Sequence, residues 1–221
     1  LDYYSVFTHS SELREHLAGL GGAETEACFR GELARCGEQG ECRERGPEAC
    51  RETLPGQFVM VETTDGLEPY LRRAFSVHDV SKTDRGARIE LLVKIVGPGT
   101  RALAGKRPGE RLAVLGPLGQ PFGSTTAGTA GTADTTATAD SRPVALVAGG
   151  VGSAPLLLLG RKLLAAGTRF DFYYGGRTRL DLVRSAVFEN LAQASGGSLI
   201  STTEDGSAGE RGLITAPLAR S

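Results

Sequence analysis

The hydrophobic pattern of this chain changes across residues 123–141, which contain only Gly, Ser, Thr, Ala and Asp. Before this stretch, apolar and polar residues alternate in short segments; after it, residues 143–148 form a continuous apolar run. Alternation is typical of half-buried antiparallel strands, and a continuous run is typical of a strand inside a parallel sheet. Since the stretch between them has no large apolar side chain for a core, we predict two domains joined by a flexible linker.

The segment before the linker is predicted to form a small antiparallel β-barrel, because its short strands are separated by Gly- and Pro-containing turns. A short helix over residues 99–106 is expected to start at a Thr100 cap. The predicted strands cover residues 57–62, 74–80, 87–96 and 111–115.

The segment after the linker alternates strands with helices. This β-α-β-α-β order predicts a doubly wound parallel sheet, of which about half is present. The predicted strands cover residues 143–148, 169–174 and 198–203, and the predicted helices cover residues 154–166 and 181–194. The expected fold class is therefore β followed by α/β, with the barrel at residues 54–122, the linker at 123–141 and an incomplete α/β domain at 142–221.

Residues 1–53 are interpreted as an N-terminal strand and helix region with a cysteine-containing insertion. A strand is expected at residues 3–7 and a capped helical turn at residues 10–20. The four cysteines of the chain, Cys28, Cys36, Cys42 and Cys50, follow at spacings of C-x7-C-x5-C-x7-C. Metal sites usually bring cysteines in closer pairs, so we interpret the thiols as incidental and predict no metal ligand. A metal or redox role is the alternative.

Composition and charge argue against several classes of function. The net charge of −1 offers no basic surface for nucleic acid or an anionic membrane. No apolar run approaches the roughly 20 residues that span a bilayer, and the N-terminus lacks the pattern of a signal peptide. We therefore expect a cytoplasmic protein. The first residue is Leu1 rather than Met and the sequence stops abruptly at Ser221, so a fragment of a longer chain is one expectation.

No pattern points to a side chain that performs covalent or acid–base catalysis. The three histidines, His9, His16 and His78, are scattered along the chain. A Gly-x-Ser-x-Gly elbow, which hydrolases use to present a nucleophile, does not occur in the sequence. We therefore predict no catalytic side chain and look instead for cofactor-binding motifs.

The first such motif, Arg73-Ala74-Phe75-Ser76, opens the second predicted barrel strand. Alternation places Arg73 and Phe75 on one face of the strand and Ser76 on the other. A guanidinium fork suits a pyrophosphate, Phe75 can pack against a flavin, and Ser76 can donate to a ring heteroatom such as flavin N5. Alone, the four residues are more often a surface arginine, a core phenylalanine and a strand-edge serine. The motifs that follow favour the flavin site.

Two glycine-containing turns suit phosphate groups. Gly97-Pro98-Gly99-Thr100 precedes the predicted short helix, where backbone N–H groups and the Thr100 hydroxyl can cradle a phosphate. The segment Gly149-Gly150-Val151-Gly152 lies between a strand and a helix, where backbone N–H groups and the helix dipole suit a dinucleotide pyrophosphate. An ordinary Gly-Pro turn and a purely structural βα turn are the respective alternatives.

The second turn departs from the Gly-x-Gly-x-x-Gly fingerprint, because Pro155 stands where the third glycine would be. We predict nonetheless that Gly149, Gly150 and Gly152 bind the cofactor. Asp181 and residues 204–207 are interpreted as caps and turns, with ribose contacts as the alternative.

In this order, the motifs resemble the ferredoxin–NADP reductase superfamily and, within it, the electron-transfer subunits of B-type dihydroorotate dehydrogenases. The resemblance covers about residues 54–215. It depends most on the Gly-Pro-Leu-Gly block at 116–119 and the Asp-Gly-Ser-x-Gly-x-x-Gly block at 205–212. The other matching segments are residues 55–59, 71–77, 99–100, 114–122, 149–156, 175–178 and 202–215.

This resemblance implies FAD in the barrel and NAD(H) in the α/β domain. It implies FAD contacts from the Arg73-Ala74-Phe75-Ser76 segment, from the strand end Leu92-Val93-Lys94 and from the Gly99-Thr100 pair. It further implies an electron-transfer flavoprotein of pyrimidine biosynthesis, which moves electrons between NAD(H) and a dihydroorotate dehydrogenase catalytic subunit via FAD and forms a heterotetramer with that subunit. A subunit of another ferredoxin or sulfide-type reductase, a flavin reductase, and a truncated non-catalytic cofactor-binding domain are the alternatives.

The sequence departs from the family pattern at two places. The family binds a [2Fe-2S] cluster through a C-terminal cysteine cluster, for which residues 1–221 contain no counterpart. The family also has a simple strand and a short connection where residues 21–53 carry the cysteine-containing insertion. The spacing and position of the four cysteines differ from the cluster motif, so the cluster is not assigned to them.

Overall fold

The computed structural model describes residues 3–8, 26–35, 53–64, 71–83, 86–106, 111–123 and 144–221, and for the first two ranges it describes the backbone pairing. The chain divides into two compact units, Leu1–Pro121 and Phe122–Ser221. The predicted helical turn at residues 10–20, nearly all of the linker, and Cys36, Cys42 and Cys50 lie outside the described residues.

The first unit is a closed antiparallel barrel with the strand order β1-β2-β5-β4-β3-β6. The predicted barrel is therefore confirmed, with shifts of a few residues at the strand ends. Its strands are β1 (Tyr3–Thr8), β2 (Glu26–Arg35), β3 (Phe58–Val61), β4 (Arg73–Thr83), β5 (Gly86–Lys94) and β6 (Arg111–Leu118).

Valine and leucine side chains on one face of these strands fill the inside of the barrel. Alternation produces this face, because successive strand residues point to opposite sides of the sheet. The buried residues, each at most 3% exposed, include Val59, Val61, Val77, Leu91, Val93, Leu112 and Val114.

Strand β2 lies within the segment that we interpreted as an insertion, and in this respect the structure differs from the expectation. Residues 26–35 pair with β1 on one side and with β5 on the other, and Cys28 is opposite Leu92 in the register. The local sequence alternates poorly, so pairing with two neighbouring strands decides the conformation here.

The short helix of the barrel unit, α1 (Pro98–Ala104), begins earlier than predicted. Gly97 is its N-cap residue, with φ −162° and ψ −176°. Thr100 lies in the first turn, and its hydroxyl oxygen accepts hydrogen bonds from the N–H groups of Val96 (2.9 Å) and Gly97 (3.1 Å). The prediction that Thr100 is the cap residue was wrong, because its side chain satisfies the N-cap backbone from inside the helix.

The second unit is a parallel sheet with the order β10-β9-β8-β7, which confirms the predicted α/β class. A 3₁₀ turn (Gly150–Ser153) follows β7, and another (Arg179–Asp181) follows β8. The elements are β7 (Val144–Gly149), α2 (Leu156–Ala165), β8 (Phe170–Gly176), α3 (Ser185–Ala194), β9 (Leu199–Thr203), β10 (Glu210–Arg211) and α4 (Thr215–Leu218). Helix α3 starts four residues later than predicted, because Asp181 belongs to the 3₁₀ turn.

One apolar cluster joins α2 and α3 to the same face of this sheet. Gly160 allows their close packing, since a Cβ there would lie 2.7 Å from Leu191 Cδ2. The cluster consists of Leu146, Ala148, Leu157, Leu159, Leu163, Phe170, Phe172, Tyr174, Leu182, Phe188 and Ala192.

Strand β7 was expected to be buried on both faces, and this expectation was wrong for the described residues. Leu146 and Ala148 are buried, whereas Ala145 is exposed and Val147 is 42% exposed. Helices α2 and α3 pack on the face of the sheet that carries Leu146 and Ala148, and Ala145 and Val147 lie on the other face. Strand β7 is also at the edge of this four-stranded sheet. Among the described residues, the structure contains no helix that could cross a membrane.

Candidate functional site

The predicted flavin-binding segments of the barrel come together at one end of β4 and β5. Val77 pairs with Leu91 in the antiparallel register. Ser76 precedes Val77 and Leu92 follows Leu91, so the start of β4 and the end of β5 lie side by side. The Gly97 turn continues directly from this end of β5. Segments that are distant in sequence are thus neighbours in the fold.

Strand alternation divides the tetrad between the two faces of β4, as the sequence predicted. Phe75 and Arg73 are opposite the buried Val59 and Val61 in the β3 register. Ala74 lies on the other face and is exposed. Ser76 shares that face and is half-buried, so both small residues are available on the outside of the barrel.

Arg73 is anchored at the end of the barrel. One guanidinium nitrogen, Nη1, donates a hydrogen bond to the backbone carbonyl of Leu71. The side chain remains partly exposed, and a guanidinium carries five N–H donors. Arg73 therefore retains donors for an anionic ligand.

The end of β5 combines buried apolar residues with a partly exposed cation. Leu92 and Val93 are 3% and 1% exposed, and Lys94 is half-buried. Gly99 is buried, and a Cβ at Gly97 would meet no heavy atom within 4 Å. Space is therefore open beside the N-terminus of α1, whereas the Thr100 hydroxyl is engaged in closing the turn and donates to Gly97 O at 3.1 Å.

The Gly-Pro-Leu-Gly block has a packing role in this barrel. Gly116 has φ +153°, and a Cβ there would lie 2.8 Å from Val59 Cγ1. Gly119 has φ +82°, and its Cβ would lie 2.9 Å from Phe58 Cε1. The block therefore lets β6 approach β3 closely, at the level where Phe58 is opposite Ser76 of the tetrad.

The carboxyl ends of the parallel strands in the second unit are lined by small residues. Gly149 of β7 is opposite Gly175 of β8, and Gly175 is opposite Thr202 of β9. Ligands of open α/β sheets bind at this edge, outside the carboxyl ends of the strands. The predicted turn Gly149–Gly152 lies at this edge and leads into α2.

The glycines of the second unit fall into two groups. Some are required by packing: a Cβ at Gly175 would lie 2.9 Å from Ile214 Cβ, and a Cβ at Gly197 would lie 1.8 Å from a backbone oxygen. The glycines of the turn are different, because Cβ atoms at Gly149 and Gly152 would meet nothing within 4 Å and neither residue has a positive φ. Neither the packing of the described residues nor the backbone conformation requires glycine at these two positions.

The loops after β8 and β9 are held by side-chain caps, as we interpreted Asp181 and residues 204–207. Asp181 Oδ2 accepts from the N–H groups of Arg177 and Thr178, both at 3.1 Å. Asp205 Oδ1 accepts from the Ser207 hydroxyl (2.6 Å) and N–H group (2.9 Å). These bonds, first the one from the Ser207 side chain, lower the pKa of Asp205 below its usual value. Both carboxylates therefore have structural roles in these loops.

Two adjacent threonines of β9 are both buried but differ in their hydrogen bonding. Thr202 and Thr203 are 1% and 0% exposed. Thr203 Oγ1 donates to Ala208 O at 2.8 Å and accepts from Ala208 N at 3.0 Å. Thr202 Oγ1, in contrast, has no hydrogen-bond partner within the part of the chain that the structure describes.

We expect Thr203→Val to lower the free energy of unfolding by about 1–3 kcal/mol, because the substitution leaves both polar groups of the Ala208 backbone without a partner. Thr202→Val should change it by no more than about 0.5 kcal/mol, or raise it, because a buried hydroxyl is removed and the shape is kept. Urea denaturation of the two variants measures the difference. A Thr202→Val variant that is as unstable as Thr203→Val would contradict the assignment.

The described residues contain no group of three or more His, Cys, Asp or Glu side chains that is able to hold a metal ion. Of the four cysteines, Cys28 is placed on β2, where the backbone pairing is all that is described.

The fold is that of known flavin reductases. Solved structures with the same fold include the NADH-dependent reduced ferredoxin–NADP oxidoreductase, with TM-score 0.63 and 27% identity over 90% of this chain and 59% of that chain. Another is the FAD/NAD-binding domain of the nitric oxide dioxygenase from Vibrio cholerae, with TM-score 0.62 and 16% identity over 96% of this chain and 79% of that chain. The two units thus have the fold of the FAD/NAD-binding ferredoxin reductases.

Within this class, the sequence relatives of the chain are electron-transfer subunits of dihydroorotate dehydrogenase B (NAD(+)). The subunit from Desulforamulus reducens is 32% identical over 168 residues, which are 76% of this chain and 57% of that protein. The subunit from Bacillus velezensis is 34% identical over 163 residues, which are 74% of this chain and 57% of that protein. No family model matches the chain. The resemblance predicted from the motifs is confirmed, and the chain spans a little over half of the length of these relatives.

Proposed function

We propose that this chain is an FAD-dependent electron-transfer subunit, which moves electrons between NAD(H) and a dihydroorotate dehydrogenase catalytic subunit in pyrimidine biosynthesis. The observation that carries the proposal is the pair of open glycines, Gly149 and Gly152, at the carboxyl edge of the parallel sheet. Sequence similarity to subunits named for this role supports the same function.

The nicotinamide dinucleotide is assigned to the second unit. Gly149, Gly150 and Gly152 present a backbone without side chains at the end of β7, and Gly150 has φ +50°, a conformation that favours glycine. Helix α2 begins shortly after the turn, so its positive end adds to the attraction for a pyrophosphate. A dinucleotide of the NAD type fits this arrangement better than a ligand without phosphates.

FAD is assigned to the barrel unit. Arg73 offers a partly exposed guanidinium with N–H donors for a pyrophosphate. The Gly99-Thr100 segment offers backbone N–H groups at the start of α1. Ser76 lies on the accessible face of β4 and is the proposed hydrogen-bond donor to the flavin ring. Leu92, Val93 and Lys94 lie beside the tetrad, as the β4–β5 register requires, and are proposed to contact the same cofactor.

When bound, FAD supplies the exchange between two-electron hydride chemistry and single-electron transfer. The residues of this chain then have three tasks: they hold the cofactors, orient them and neutralise their phosphates. No side chain needs to act as a general base in such a protein, which agrees with the absence of a nucleophile motif from the sequence. An iron–sulfur cluster is not assigned to the described residues.

A spectroscopic titration tests the proposal. The purified 221-residue chain is mixed with FAD and desalted, and its visible flavin absorbance is then recorded under anaerobic conditions before and after NADH is added. We expect retained flavin that NADH bleaches. A protein that retains no FAD, or a bound flavin that NADH leaves oxidised, would overturn the assignment.

Replacing Arg73 by alanine should weaken FAD binding about tenfold or more, since a charge-assisted hydrogen bond to phosphate contributes about 1.5–3 kcal/mol. Equilibrium titration of flavin fluorescence measures the dissociation constant. Arg169→Ala is the matched control, because this arginine is exposed at the opposite edge of the second unit, just before β8. Equal dissociation constants for the two variants would argue against a role of Arg73 in FAD binding.

The electron acceptor separates this proposal from its rival, a subunit of another ferredoxin-dependent reductase. The 27% identity to the NADH-dependent reduced ferredoxin–NADP oxidoreductase favours that rival to some degree. Co-expression with a dihydroorotate dehydrogenase catalytic subunit should give a stable complex that reduces NAD⁺ with dihydroorotate. Reduction of ferredoxin in place of complex formation would support the rival function.

A further inference from the structure

The phenol of Tyr174 connects three segments at the carboxyl edge of the second sheet. Tyr174 and Ser153 are both 0% exposed, and their hydroxyl oxygens are 3.0 Å apart. The Tyr174 hydroxyl also lies 3.1 Å from the carbonyl oxygen of Val183 and 3.3 Å from that of Asp181. These contacts therefore connect Ser153, which directly follows the Gly149–Gly152 turn, to the loop that precedes α3.

The hydrogen bonds from the Tyr174 hydroxyl to the two carbonyls favour one arrangement of protons in this cluster. The carbonyls of Asp181 and Val183 accept hydrogen bonds and cannot donate them, so the Tyr174 hydroxyl donates its single proton to them. The Ser153 hydroxyl must then donate to the Tyr174 oxygen. Both hydroxyl protons then take part in hydrogen bonds, and these bonds favour one relative position of the three segments.

The two connected segments are 3₁₀ turns with short loops, and neither is part of a strand or an α-helix. Ser153 ends the 3₁₀ turn that contains Gly150 and Gly152. Val183 directly precedes Arg184, which has φ +58° and is the one non-glycine residue with a positive φ among those that the structure describes. A left-handed conformation is unfavourable for arginine, and contacts to the neighbouring backbone help to stabilise it. The buried Tyr174 hydroxyl is such a contact.

We infer that Tyr174 and Ser153 form a positioning pair for nicotinamide dinucleotide binding. The pair holds the Gly149–Gly152 turn in register with the loop after β8, so that the backbone N–H groups of the turn converge on the pyrophosphate. Neither side chain contacts the dinucleotide, because both are fully buried. This inference rests on the proposed function of the glycine turn. It adds two residues that the motif analysis did not single out.

Steady-state and rapid-mixing kinetics of flavin reduction by NADH test the pair. The variants are Tyr174→Phe, which keeps the ring and removes the hydroxyl, and Ser153→Ala, which is the smaller change. We expect each to raise the KM for NADH about three- to tenfold, with the saturating rate of reduction and the affinity for FAD unchanged. The double variant should be no worse than Tyr174→Phe, because both substitutions break the same chain of hydrogen bonds.

Tyr173→Phe is the matched control. Tyr173 precedes Tyr174 on β8, is 6% exposed and lies outside the apolar cluster that contains Tyr174. Its variant should keep the wild-type KM, even if its thermal stability falls. A general loss of stability would instead affect FAD affinity and all kinetic constants together, which distinguishes a merely structural role.

Two negative results have different meanings. If NADH does not bleach the flavin of the wild-type protein, the proposed function fails. If NADH bleaches it with the same KM in wild type, Ser153→Ala and Tyr174→Phe, the proposed function stands and the positioning pair is refuted. If Tyr174→Phe fails to fold, Ser153→Ala alone decides, since it leaves the aromatic core intact.

Discussion

Gly152→Ala is expected to weaken NADH binding about tenfold or more, because a charge-assisted hydrogen bond from the turn to a phosphate contributes about 1.5–3 kcal/mol. A methyl group at this position would occupy space beside the backbone where the pyrophosphate is proposed to lie. The folded protein should tolerate it, because a Cβ at Gly152 meets no heavy atom within 4 Å. The free energy of unfolding should therefore change by no more than about 0.5 kcal/mol.

Gly167→Ala is the reciprocal control for this experiment. Gly167 also has open space around a Cβ, but its φ of +70° is unfavourable for alanine, and it follows α2 at the other edge of the sheet. The substitution should cost about 1–2 kcal/mol of stability and leave the KM for NADH unchanged. Thermal unfolding and NADH titration of both variants give a two-by-two comparison. Wild-type NADH affinity in Gly152→Ala would remove the main support for the dinucleotide site.

Phe188→Ala is expected to lower the free energy of unfolding of the second unit by about 3–5 kcal/mol. Phe188 is 0% exposed. Its ring stacks on Phe172 with centroids 4.4 Å apart and meets Tyr174 edge-on at 5.6 Å. Alanine would leave a cavity between α3 and the sheet and would remove both aromatic contacts. A loss of this size is a large part of the total stability of a domain, about 5–15 kcal/mol.

Urea denaturation followed by circular dichroism measures this loss. Leu180→Ala serves as the control, because Leu180 is large and apolar but 57% exposed; it should change stability by no more than about 0.5 kcal/mol. A loss below about 1 kcal/mol for Phe188→Ala would show that the site collapses around the smaller side chain. The packing described for this cluster would then be wrong.

Motif spacing alone predicted the segments of the candidate site, and the structure brings the barrel segments together where β4 begins and β5 ends. The tetrad at Arg73 opens a predicted strand, and the turn at Gly149 lies between a predicted strand and a predicted helix; such element ends carry their own sequence signals. What the motifs could not supply is the Tyr174–Ser153 pair, since a buried tyrosine in an apolar strand has the sequence appearance of an ordinary core residue.

Local patterns failed where pairing or capping decides the conformation. Strand β2 was missed because its sequence alternates poorly, and two neighbouring strands impose its conformation. Thr100 was taken for a helix cap, yet its hydroxyl bonds back to Gly97 from within the helix. Val147 was expected to be buried, but burial depends on which face the helices cover, and a continuous apolar run does not carry that information.

The sequence by itself determined the two fold classes and the glycine turn, because hydrophobic period and glycine placement act over a few neighbouring residues. Only the tertiary structure decided which glycines are needed for packing and which have open space around them. The sequence does not distinguish Gly175 from Gly152. In the structure, a Cβ at Gly175 would meet Ile214, whereas a Cβ at Gly152 would meet no heavy atom within 4 Å. The difference is made by atoms that are distant in sequence, and folding alone brings them together.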